Sequence, residues 1–151
     1  MVDSEATGAE EPLAYLLHRV QEALRAETRV AVLDAFELGF TQYICLRMLS
    51  RSPETSTAEL ARESNVSPQA MNKIVLGLQN RGLVTRPVMA AKGRTLPARL
   101  SHEGAKVLHR VDLGVCEAER RFLAQVSGSD GHTLRRILLA LGGLEESGLS
   151  G

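Results

Sequence analysis

Gln69, Asn72 and Lys73 fall within the run SPQAMNKIVLGLQN. If that run is a helix, steps of three and four residues put two carboxamides and an ammonium on one side of it. A carboxamide near the start of an exposed helix can bond base edges in the DNA major groove. A lysine there suits a phosphate or a guanine. Ser67 and Ala70 complete the candidate contact set at the same helix start, with Ser67 as a phosphate contact. Spacing alone leaves two readings open, a base-reading face or a solvated one, because short helix pairs joined by a tight turn are common in helical proteins.

The elements that would hold these residues can be read from their ends. In STAELARESNVSPQAMNKIVLGLQNRGLV, Ser56 and Glu59 form an S-x-x-E capping box, each side chain satisfying an orphan N–H of the first turn. Asn65 and Val66 close that helix. Ser67 then caps a second one, and Pro68 occupies its first position, where a missing N–H costs nothing. Met71, Ile74, Val75 and Leu78 lie at i, i+3, i+4 and i+7, so they form the packed side opposite Gln69, Asn72 and Lys73. Gly82 ends the helix at a C′ position.

Extended chain follows from Val84 to Arg86, and Leu96, Ala98 and Leu100 alternate with Pro97 and Arg99. Proline confines such strands to a short ribbon. Between Pro87 and Pro97 the tip carries Lys92, Gly93 and Arg94. A basic ribbon tip beside an exposed helix suits insertion of Arg94, and with it Lys92, into a narrow minor groove. Arg86 at the root of the ribbon is a candidate phosphate contact.

At these residues the chain resembles the MarR family of winged helix-turn-helix transcriptional regulators. AELARESNVSPQAMNKIVLGLQNRGLVTRP is similar to the family's sensing helix, recognition helix and wing entry, and RLSHEGAKVL to its L-T-x-x-G-x-x-x-L helix after the wing. The likeness runs from about Leu13 to Leu144. It implies a mainly α fold with a small β-hairpin wing, in which a winged helix-turn-helix (41–100) sits between N- and C-terminal dimerisation helices (12–37 and 101–146). Two departures stand out. The family's wing usually carries Asp-x-Arg, and here the triplet is Lys92-Gly93-Arg94; Leu76 and Gly77 stand where relatives often have basic residues. Losing those cations implies modest affinity with a shallow salt slope.

Bulk properties bound the rest. A chain of 151 residues with 44% hydrophobic and 24% charged residues makes one ordinary domain with its own core. No apolar run approaches the roughly 18 residues that span a bilayer. The first eleven residues are acidic and polar, which fits a disordered tail and not a secretory signal, so a cytoplasmic location is expected. The formal charge is zero, yet it is segregated: residues 1–37 hold 3 basic and 8 acidic groups, 38–110 hold 11 and 4, and 111–151 hold 4 and 6. The positive charge gathers where a nucleic-acid face would need it.

The flanking segments read as long helices. One runs from Pro12 to just before Gly39, with Thr41 capping the next. Another opens at Ser101 and reaches Val126, and the turn GSDGH separates it from a last helix, TLRRILLALGGLEE. Their stripes, Leu13, Leu16, Leu17 and Val20 on the first and Leu134, Ile137, Leu138 and Leu141 on the last, are longer than a small winged domain can cover. A two-fold homodimer would bury them and present two recognition helices to a pseudo-palindromic double-stranded DNA site.

Other chemistry finds little support. Cys45 and Cys116 are not in a C-x-x-C arrangement, His18, His102, His109 and His132 show no zinc-ligand spacing, and no nucleophile elbow or phosphate loop occurs. A non-enzyme without cofactor or metal is expected. The family resemblance implies a small aromatic carboxylate or phenolic effector, salicylate among them, bound between the dimerisation helices and the DNA-binding lobe. His18 and Arg19 on the first helix, with Tyr43 and Arg47 on the second, are the candidate receptor; core packing of Tyr43 and an acid partner for Arg47 is the competing account. Two rival functions stay open: a protein-interaction module that has lost DNA binding, and a redox-sensing regulator acting through cysteine.

Overall fold

The computed structural model describes residues 10–86 and 97–144. Six helices and one two-stranded ribbon follow in the order α1 (Leu13–Ala31), a 3-10 turn (Leu33–Phe36), α2 (Phe40–Arg51), α3 (Thr57–Glu63), α4 (Pro68–Asn80), β1 (Val84–Thr85), β2 (Arg99–Leu100), α5 (His102–Leu123) and α6 (Gly128–Leu141). The strands pair antiparallel, Val84 opposite Leu100 and Thr85 opposite Arg99. The tip of the ribbon, with Lys92 and Arg94, lies outside the described residues.

Local chemistry sets most helix starts where the residues place them. The Ser56 hydroxyl accepts from the Glu59 N–H at 3.2 Å while the Glu59 carboxylate accepts from the Ser56 N–H at 3.4 Å. Ser67 accepts from the Ala70 N–H at 3.1 Å, with Pro68 first in α4. Asn65 takes φ 53°, the left-handed conformation that lets α3 turn sharply into α4. Leu46, Leu49, Leu60, Met71, Val75, Leu78 and Val111 are all fully enclosed, so α2, α3, α4 and α5 share one core.

Several boundaries differ from the sequence reading, among them the end of α5, which stops at Leu123 and not Val126, and the end of α6 at Leu141. The first helix does not run to Gly39: it stops at Ala31, and a 3-10 turn follows. Val32, Leu33 and Leu38 are all buried. On one straight helix, at about 100° per residue, they would spread over more than half the circumference. Breaking the helix at Val32 turns all three inward. The second helix is capped at Gly39, not Thr41, and the Gln42 side chain accepts from the Gly39 N–H at 2.8 Å. GSDGH is the opening turn of α6 and not a separating loop, because Ser127 accepts from the Asp130 N–H at 3.1 Å and Asp130 adds a negative charge at the helix N-terminus.

The 3-10 corner is held from α4. Arg81, the C-cap of α4, donates to the carbonyls of Glu37 at 2.8 Å and Phe36 at 2.7 Å. Both carbonyls lie at the end of the turn, where they lack intrahelical donors and favour a cation. Arg81→Met should cost about 1 kcal/mol, the scale of solvent-exposed hydrogen bonds. A thermal melt should show it as a drop of about 2–4 °C; an unchanged melting temperature would mean the clamp bears no load.

Candidate nucleic-acid interface

The capped start of α4 and the packing of its apolar side fix which side faces out. Met71, Val75 and Leu78 are fully buried against the preceding helices. Gln69, Asn72, Lys73 and Asn80 are exposed on the other side, and Leu76 among them is 53% exposed. No described part of the chain covers this side. Ala70 is half-buried, and its N–H is engaged by Ser67. Gly77, the other departure on this helix, is half-buried with room for a methyl group 3.6 Å from the Gln42 side chain. An open cleft of about 210 Å³ between the starts of α3 and α4 is bordered by Ser56, Thr57, Pro68 and Asn72.

Arg86, expected as an outward phosphate contact, is half-buried. One of its terminal nitrogens donates to the Thr57 hydroxyl at 3.2 Å, and its buried Nε has no partner among the described residues. It ties the wing root to α3. Arg99 on the second strand pairs with Glu54 in the loop before α3, so both strands of the ribbon are fastened to the same helix start.

A second concavity, about 260 Å³, lies between α1, α2 and α5 and is bordered by Arg25, Thr28, Phe40, Tyr43, Arg47 and Glu119 among others. The structure brings Tyr43 and Arg47 together here through a residue the sequence did not single out. The Tyr43 hydroxyl donates to Asp112 Oδ1 at 3.0 Å, and Arg47 reaches Asp112 Oδ2 at 3.1 Å. Burial pushes the Tyr43 phenol well above its ordinary pKa, and the neighbouring Asp112 carboxylate raises it further. Asp112 was findable in principle, as a lone acid on the inward stripe between Val111 and Val115.

His18 and Arg19 do not join them. They lie on the stretch Leu13–Ala23, exposed throughout, where α1 runs past the lobe. The α1 cation at the crevice is Arg25, whose guanidinium sits 5.0 Å from the Phe40 ring centroid. Among the described residues no carboxylate lies within ion-pair distance of it. A cation over an aromatic face, beside a buried phenol, can receive a small anionic ring.

Cys45 is fully buried, and burial pushes its thiol up to about 11, so it holds almost no thiolate at neutral pH. Cys116 is exposed. Among the described residues no group of three or more His, Cys, Asp or Glu side chains is placed to hold a metal ion, and no helix is long and apolar enough to cross a membrane.

A MarR family model matches residues 36–94. The HTH-type transcriptional repressor Rv2887 of Mycobacterium tuberculosis is 42% identical over 131 residues, covering 87% of this chain and 94% of that protein. A crystal structure of the M. tuberculosis protein in complex with DNA aligns with TM-score 0.74 at 39% identity, covering 88% of this chain and 99% of that one. Its complex with salicylic acid aligns with TM-score 0.76 at 40% identity, covering 89% and 98%.

Proposed function

The chain belongs to the MarR family, and from that premise we propose that it is a homodimeric, sequence-specific DNA-binding repressor released by a small aromatic carboxylate. The family is one of transcriptional regulators and not an enzyme class. The observation that carries the reading is the outward side of α4, which presents Gln69, Asn72 and Lys73 uncovered while Met71, Val75 and Leu78 on its apolar side are fully buried.

On this reading the DNA-binding lobe is residues 41–100, flanked by dimerisation helices. Asn72 and Gln69 reach base edges, Lys73 a phosphate or guanine, and Ser67 and Ala70 lie closest to the backbone at the helix start. Arg94 and Lys92 enter the minor groove from the wing. Arg86 acts by holding the wing root against Thr57, within reach of a phosphate as it does so. Phosphate contacts set register and salt dependence, whereas base contacts set sequence.

The effector enters the crevice of α1, α2 and α5, as supported by a relative solved with salicylic acid at 40% identity. Arg25, in place of the His18 and Arg19 read from the sequence, is the α1 cation that takes the carboxylate. Phe40 and Tyr43 wall the ring, and Asp112 holds Tyr43 and Arg47 in place. Because α1 belongs to the dimer frame and α2 to the lobe, a ligand wedged between them favours one spacing of the two recognition helices. It shifts the equilibrium only by its preference between spacings.

One titration tests the whole reading: binding to the DNA upstream of its own gene, across salt concentrations, with and without salicylate. Asn72→Ala should lose about 1–3 kcal/mol, confined to one base position. Lys73→Ala should flatten the salt slope by about one unit per copy, and Arg94→Ala should weaken binding to all sequences. Salicylate should release the wild type and leave Arg25→Gln bound. Salt-independent binding, or equal binding by all variants, would remove the DNA reading; release of Arg25→Gln at wild-type salicylate would remove the effector site.

A further inference from the structure

Leu76 is the one side chain on the outward side of α4 that folding does not explain. The other large apolar residues of the helix are enclosed or half-buried, whereas Leu76 is 53% exposed. At about 100° per residue, the seven residues from Gln69 bring Leu76 to roughly 20° from it around the axis. It therefore stands on the midline of the side that carries Gln69, Asn72, Lys73 and Asn80. It is a single leucine among carboxamides and a lysine, and it forms no part of an apolar patch of the few hundred Å² that docks a protein.

In the major groove one base edge rewards an aliphatic side chain. Thymine projects a C5-methyl there, and the other three bases offer only donors and acceptors beside C–H. A cation at position 76 would add phosphate affinity without sequence information. A leucine gives up that affinity for a contact that depends on sequence.

We propose that Leu76 is a specificity-determining residue that packs on the C5-methyl group of one thymine in each half-site. The assignment rests on the DNA-binding reading above and narrows it to a base. Leu76 and Asn72 then read neighbouring positions one helical turn apart, the amide by hydrogen bonding and the leucine by excluding water from the methyl.

The test begins by enriching duplexes from a random-sequence pool with the wild-type full chain. In the best duplex each thymine is replaced in turn by deoxyuridine, which deletes the methyl and leaves the hydrogen-bonding edge intact. One position per half-site should weaken wild-type binding by about fourfold, the worth of one buried methyl-sized group. Substituting both half-sites should cost about fifteenfold. Leu76→Ala, a change at an exposed position to a better helix former, should bind the thymine and deoxyuridine duplexes equally. A wild type indifferent to every methyl, or a Leu76→Ala variant that keeps the discrimination, overturns the proposal while DNA binding stands. A Leu76→Ala variant that loses a protein partner and keeps its base preferences overturns it too. If the wild type enriches no duplex at all, the DNA reading falls together with it.

Discussion

Gly104→Ala should cost about 3 kcal/mol or more and lower the melting temperature by about 10 °C. A Cβ built on Gly104 would stand 1.9 Å from the Leu83 carbonyl oxygen and 2.8 Å from its carbonyl carbon. Both are backbone atoms, so no side chain can rotate to make room, and the first turn of α5 has to move away from the chain leaving α4. Three hydrogen bonds cross or brace that seam. The Ser101 N–H donates to the Leu83 carbonyl at 3.0 Å, the Ser101 hydroxyl donates to the Gly82 carbonyl, and it accepts from the Gly104 N–H at 2.9 Å. Leu83 is also tied back to α4 through the Leu78 carbonyl at 3.0 Å. Displacing it therefore moves the wing root relative to the recognition helix, and any folded fraction should bind operator more weakly. Gly77→Ala is the matched control with the opposite sign. Its Cβ meets only the Gln42 side chain at an ordinary 3.6 Å, so the helix should gain up to about 1 kcal/mol. Denaturant melts of the two variants check both signs; a Gly104→Ala chain as stable as wild type would mean that α5 and the wing root are not packed as described.

Gly104 also shows how far the sequence could be read. It was visible as the glycine of RLSHEGAKVL, but its reason, a carbonyl arriving from twenty-one residues upstream, is not local information. The cap residues Ser56, Ser67 and Ser101 were legible because a cap is made within four residues. The inward side of α4 was legible because its period is that of the helix. The partners of Tyr43 and Arg81 were not, since Asp112 and Glu37 lie 69 and 44 residues away along the chain. His18 and Arg19 were named on α1, and Arg25 was not, because spacing along α1 does not say where the lobe ends and the free length of helix begins. Ser127 and Asp130 did form a readable cap, masked by the two glycines between Ser127 and His132. Leu76 looked like a lapse in a DNA face and is better explained as one of its readers.

Leu138→Asp should convert the dimer to a monomer at micromolar concentration and reduce operator affinity by more than a hundredfold. No residue of α6 is buried within its own chain. A fourteen-residue helix packed this lightly is marginal in water, so its order calls for a partner for the stripe of Leu134 (39% exposed), Ile137 (42%), Leu138 (46%) and Leu141 (73%). The matching stripe on α1, Leu13, Leu16, Leu17 and Val20, is 45–66% exposed. A second copy supplies both at once, because a two-fold axis sets each stripe against its own kind or its neighbour's. Arg135 pairs with Glu119 at 3.0 Å, so α6 is hinged to α5 at a residue that also borders the crevice between α1, α2 and α5. Each fully buried leucine contributes about 1.5–3 kcal/mol. A carboxylate in its place adds a desolvation cost, and symmetry counts the change twice. The affinity loss follows because two half-sites held one duplex turn apart, ~34 Å, bind as a unit only while the subunits are joined. Sedimentation velocity and operator titration of the same samples check the pair of effects. A wild-type chain that sediments as a monomer, or a Leu138→Asp chain that stays dimeric, would mean that α1 and α6 are covered by something other than a second copy.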